Sequence, residues 1–177
     1  NIGKPYDPRT GEGVVGRNYC YQTGGGGASM VFDDKRFNPF VGAGALSMQA
    51  HDFNGDAFDH SNLDFVGGAT IGSGESNGRP INSRPTPPGT PRWGAKWKDA
   101  TAKTYGRVMG IGGSGSSYAI RENYLDLDPT YTDRYGRPLL RITFEFPDND
   151  LRMQNYVSKQ CEKIARSLNP KILTMGK

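Results

Sequence analysis

Apolar and polar residues alternate most regularly between Leu140 and Phe146. Leu140, Ile142, Phe144 and Phe146 are separated by Arg141, Thr143 and Glu145. A period of two over seven residues predicts a half-buried β-strand. Pro147 breaks that run, and Asp148 or Asp150 is placed to cap a following helix. In it Met153, Val157, Cys161, Ile164, Ala165 and Leu168 recur at helical spacing, and Asn169-Pro170 stops it. The strand is expected to pack under that stripe.

A second helix is predicted after Thr90. Thr90 suits an N-cap and Pro91 the first helical position. Trp93, Trp97, Ala100 and Thr104 then fall on one face, and Gly106 ends the element. Short β-type runs occupy Ala28–Phe32, Phe40–Phe53, Asp64–Ile71, Val108–Gly112 and Ser117–Arg121, with a turn over Asp126–Pro138. Residues 1–27 read as an irregular lead-in that ends in four glycines, and 72–91 as a Pro/Gly/Ser-rich loop. Gly42 and Gly44, like the pair in Asp64–Ile71, lie inside strand-like runs. Such glycines strip side chains from a sheet and let another group approach closely. The expected class is α+β: one domain over 1–177, a largely antiparallel (mixed) sheet, two amphipathic helices on one face, and long Gly/Pro-rich loops.

Composition narrows the function. The chain has 177 residues, enough for one domain with a sizeable core. Its 34% hydrophobic content is low, but 25 glycines bring it near the usual apolar share, and 8 Phe, 2 Trp and 9 Tyr exclude a disordered chain. The net charge of +4 is scattered, without the concentrated basic stripe that nucleic-acid binding requires. No apolar run reaches the ~20 residues of a membrane span. The first residue is Asn1, inside a Gly/Pro loop, and the last is Lys177. Both ends read as cut.

Several short motifs fail on inspection. Gly110 to Gly115 satisfies G-x-G-x-x-G, but no helix pattern opens after it to hold a pyrophosphate. Asp52-Phe53-Asn54-Gly55-Asp56 opens like a calcium loop, but Ala57 and Leu63 stand where Gly and Glu are needed. Two cysteines and two histidines give no usual zinc spacing. Cys161 suits burial as a small hydrophobe, and a Cys20–Cys161 disulfide stays open as an alternative. His51 and His60 lack a Ser or Cys nucleophile partner and read as structural or surface histidines. The segment Asp52, Asn54, Asp56, Asp59, His60 is either a polar turn or a rim of donors and acceptors suited to a polyol. The polyol reading adds Asn38, giving Asn38, Asp52, Asn54, Asp56 and His60 as candidate substrate-binding residues.

Longer motifs carry a resemblance. These are Val15-Gly16-Arg17-Asn18-Tyr19, Asn38 to Ala45, Asp52 to Asp56, Phe58-Asp59-His60, Pro87 to Gly94, and Leu125 to Pro129 continuing through Asp133, Gly136 and Pro138. In this order the chain resembles the substrate-binding domain of glucose–methanol–choline oxidoreductases, in the gluconate and fructose dehydrogenase branch. The resemblance implies a sheet that roofs a flavin, with FAD held by the intact enzyme and none by this segment. It implies no catalytic residue here, because the family's catalytic histidine lies in a segment that these motifs do not include. Gly16 and Asn18 would lie near the flavin. The intact protein would oxidise a sugar acid or sugar alcohol, gluconate first, then fructose or sorbitol. Its partners would be the rest of the flavoprotein, a small subunit and a c-type cytochrome, in the periplasm at the inner membrane. The alternative is an autonomous carbohydrate-binding or scaffold module.

Overall fold

The computed structural model describes residues 3–38, 47–55, 58–75 and 86–176. It is an α+β fold with seven strands and two helices among these residues. The strands are β1 (Thr23–Val31), β2 (Ser47–Ala50), β3 (Ala69–Glu75), β4 (Val108–Gly115), β5 (Tyr124–Thr132), β6 (Pro138–Thr143) and β7 (Ile172–Met175). The helices are α1 (Ala95–Thr104) and α2 (Asp148–Ser167). Five strands form one sheet in the order β2-β3-β4-β1-β7, and β5 and β6 form a separate hairpin. Every strand pair is antiparallel.

The core lies between the main sheet and α2. Ala28 and Met30 of β1, Ala69 and Ile71 of β3, and Ile111 of β4 meet Met153, Val157, Cys161 and Ala165 of α2. This is the stripe expected from helical spacing except for Leu168, which follows the helix and is exposed; Cys161 is fully buried in it as a free thiol. Burial pushes the Cys161 thiol up. Cys20 is exposed and also free. Gly115 faces α2 closely: an added Cβ there would stand 2.5 Å from Met153 Cε, the end of a flexible side chain. Neither Asp148 nor Asp150 caps α2: Pro147 precedes the first turn and makes no side-chain cap. Asp150 is instead buried in the first turn, where the helix dipole favours a carboxylate, within 3.5 Å of Thr23 Oγ1.

Several local expectations are corrected. The lead-in is not irregular to residue 27, because β1 begins at Thr23 and runs through all four glycines, with a bulge between Gly25 and Ala28. A Cβ at Gly27 would stand 2.4 Å from Ile111 O, so only glycine lets this strand close on β4. The strand expected over Asp64–Ile71 starts later, at Ala69, and runs on to Glu75, so the expected loop begins later than residue 72. The run 117–121 makes no ladder, while β4 continues to Gly115. Asp126–Thr132 is strand β5 and not turn. β7, after the Asn169-Pro170 stop, was not foreseen. Helix α1 starts after Gly94, whose φ of 86° is incompatible with a helix, so Thr90 and Pro91 are not its cap and Trp93 is exposed. The strand expected over Phe40–Phe53 is seen at Ser47–Ala50, and residues 39–46 lie outside the described residues.

The largest correction concerns the most regular strand. Leu140 and Ile142 are both 60% exposed, and they do not pack under α2. They belong to the hairpin, which the N-terminal segment ties to the rest of the chain. Gly16 O accepts from Leu125 N at 2.7 Å, and Tyr19 meets Phe144 edge-on. Buried Asn123 holds both the N–H and the C=O of Glu145. Phe144 and Phe146 are half-buried and pack on each other.

Candidate functional site

The glycines of the main sheet fall into two groups. Gly27 and Gly68 are required by the fold, since a Cβ at each would come within 2.4–2.5 Å of a backbone atom, while a Cβ at Gly115 would meet only the end of the Met153 side chain at that distance. Gly72, Gly74, Gly110 and Gly112 are not required: the nearest described atom to an added Cβ is 3.6 Å away at Gly110, 3.9 Å at Gly72 and 4.0 Å at Gly112, and at Gly74 none lies within 4 Å. Register places this second group on the sheet face opposite α2. Gly72 pairs with Gly112 and Gly74 with Gly110, one step out of phase with the core residues Ile71 and Ile111. Among the described residues the result is a bare backbone floor that packing does not demand.

Polar side chains ring this floor. Gln49 pairs with Gly72 and Ser114 with Thr70, so all share the open face. Gln49, Thr70 and Ser114 line a depression of about 380 Å³ over Gly72, Gly112 and Gly113. His51 reaches the same edge, with Nδ1 3.4 Å from Thr70 Oγ1. An amide, two hydroxyls and an imidazole over a side-chain-free floor can hydrogen-bond a hydroxylated molecule while a flat group approaches the backbone.

The residues expected from sequence are placed differently. Asp52 and Asn54 lie in the turn after β2, where Asn54 N bonds to His51 O and Asn54 Oδ1 accepts from Gly55 N. That turn packs on Gly68, whose Cβ would stand 2.5 Å from Gly55 N. His60 is committed to the interior edge: Nε2 bonds to Gly67 O, and the ring lies against Phe58 and Phe65. Asp59 accepts from Ser61 N and Oγ, which holds its carboxyl below the usual range. Asn38 is exposed beside Phe37, and Asp56 lies outside the described residues. Gly16 and Asn18 form a turn on the edge of β5, with φ of 93° and 54°. A Cβ at Gly16 would stand 2.2 Å from Leu125 O, so hairpin closure already explains that glycine.

Gln49, Thr70 and Ser114 were missed as site residues. The available signal was the alternation of Gly72 with Gly74 and of Gly110 with Gly112, a period of two that puts bare positions on one face. The run Gly110 to Gly115 lies entirely in β4, and no helix opens after it.

A second cleft, of about 450 Å³, lies between the N-terminal segment and the hairpin, with Tyr6, Arg9, Asp126 and Arg141 in its lining. Its guanidinium groups are taken up by carboxylates, Arg141 by buried Asp126 and Arg9 by Asp7. Hydrogen bonding to Asp126 pushes Arg141 further up. Among the described residues no group of three or more His, Cys, Asp or Glu is placed to hold a metal. No described helix is long and apolar enough to cross a membrane.

No protein-family model matches the chain. The chain is 43% identical over 175 residues to the gluconate 2-dehydrogenase flavoprotein of Pantoea cypripedii. The match covers 99% of this chain and 28% of that protein's length.

Proposed function

We propose that this chain is the substrate-side part of a flavoprotein dehydrogenase of the glucose–methanol–choline type, acting on a sugar acid, with gluconate as first choice. The observation that carries the reading is the bare floor at Gly72, Gly74, Gly110 and Gly112, in a chain 43% identical to a gluconate 2-dehydrogenase flavoprotein. The floor fits a flat ring system in shape. Nothing in the described residues fits the nucleotide end of FAD, since the glycine run in β4 opens no helix. The rest of the polypeptide would therefore hold the cofactor, and this chain would offer it a face.

FAD, when bound, supplies a hydride acceptor for oxidation of a secondary alcohol. The role of this chain is to orient the substrate. Gln49, Thr70 and Ser114 would pair its remote hydroxyls, and His51 would hold Thr70. A carboxylate end would meet neutral donors here, since no lysine or arginine among the described residues lines this depression. In this reading electrons leave to a cytochrome partner and not to a nicotinamide.

The test is a pair of substitutions in the full-length flavoprotein. Gly72→Leu and Gly112→Leu fill the floor from positions where an added Cβ comes no closer than 3.9 Å to a described atom. Each should lower kcat/KM for gluconate about 100-fold, the loss that a 1 Å displacement of a reacting group produces. Flavin content should stay unchanged and Tm should not fall. Full activity in both variants would place the substrate elsewhere.

A further inference from the structure

The β5–β6 hairpin carries an apolar face that no described element covers. Leu125 pairs with Ile142 and Leu127 with Leu140, so all four side chains project on one side. Leu127 is 46% exposed, and Leu140 and Ile142 are 60% exposed. The opposite side carries Asp126, buried and bonded to Arg141, beside half-exposed Leu139. Two-stranded hairpins are marginal in water and rely on packing of one face. The strict alternation from Leu140 to Thr143 is the pattern of a face that is covered.

We infer that this leucine face docks against the part of the same flavoprotein polypeptide that lies outside residues 1–177. The inference rests on the reading of the chain as part of such a flavoprotein. Size argues for this occupant. Separate proteins need about 800 Å² from each partner for a stable interface. Four aliphatic side chains, two of them already partly covered, fall well short of that. A contact within one polypeptide carries no association cost, so a small patch suffices. The matched relative supplies the required chain, since the match leaves out most of its length. The hairpin is also held in a fixed direction, by Gly16 on Leu125, Tyr19 on Phe144 and Asn123 on Glu145. A preset face of this kind meets an intramolecular counter-surface without reordering.

The experiment uses the full-length flavoprotein with the photo-crosslinking residue p-benzoylphenylalanine at position 140 and, separately, at 142. After irradiation, the expected product migrates as a single polypeptide. Peptide mapping should join position 140 or 142 to a peptide outside 1–177. A product of doubled mass would identify a second copy as the occupant and overturn the inference. A link to a different polypeptide, a link inside 1–177, or no link would overturn it equally. Hydroxyl-radical footprinting of the unaltered full-length protein removes dependence on the bulky probe. Leu140 and Ile142 should be oxidised at about a tenth or less of the rate that 60% exposure dictates, and oxidation at the full rate would sink the docking face. Failure here with intact loss of activity in Gly72→Leu would leave the substrate floor standing, and the reverse result would do the opposite.

Discussion

Substituting alanine for single glycines should separate those that build the fold from those that leave room for something else. At Gly27 the new methyl carbon would stand 2.4 Å from Ile111 O and 3.3 Å from Gly112 Cα, both backbone atoms of the neighbouring strand. Neither can rotate away, so β1 must move off β4 by most of an ångström. Overpacking of this kind costs about 1–3 kcal/mol. At Gly74 the added methyl meets no described atom within 4 Å, and the backbone there is not in the positive-φ region. Removing glycine's extra freedom in the unfolded chain should then stabilise by about 0.4–1 kcal/mol. A chain of this size shifts in Tm by about 2–4 °C per kcal/mol. Gly27→Ala should therefore lower Tm by about 2–12 °C, and Gly74→Ala should raise it by about 1–4 °C. Differential scanning calorimetry with matched urea titrations reads both. A neutral Gly27→Ala, or a Gly74→Ala that loses more than about 1 kcal/mol, would refute the division on which the proposed floor rests.

Four further outcomes are expected. Met153→Ala should cost about 2–5 kcal/mol in urea unfolding, because Met153 is 1% exposed and fills the space beside Gly115. Native protein should show one fast thiol towards a disulfide reagent at pH 8, Cys20, while Cys161, buried with its thiol pushed up, reacts only on unfolding. Asp128 accepts N–H bonds from Thr130 and Tyr131, which lower its folded pKa. Its contribution to the hairpin is complete above the unfolded aspartate value of about 3.9 and is lost as pH falls through the folded value, so the Tyr131 amide resonance should move only in that acid window. The 177-residue chain purified alone should be colourless and should not reduce an artificial acceptor with gluconate; a yellow preparation with turnover would contradict the division of labour proposed here.

Periodicity by itself determined the elements whose partners are local. The stripe from Met153 to Ala165 specified α2 and its buried face, because a helix closes its own hydrogen bonds and needs only one apolar side covered. The alternation from Leu140 specified a strand, observed to Thr143, because successive side chains of a strand point to opposite faces. What alternation does not carry is the identity of the covering element. Only the tertiary structure showed that Leu140 and Ile142 sit on a detached hairpin, away from α2. Glycine patterns were equally divided. Composition marked the sheet as open to close approach, but the same residue type serves as tight contact at Gly27 and as empty space at Gly74. That difference depends on cross-strand register, which joins positions far apart in sequence. Register also gathered Gln49, Thr70 and Ser114 on one face, and turned His60 into a prop for the loop around Gly67. A polar residue's chemistry is written in the chain, but its direction is set by the strand that pairs beside it.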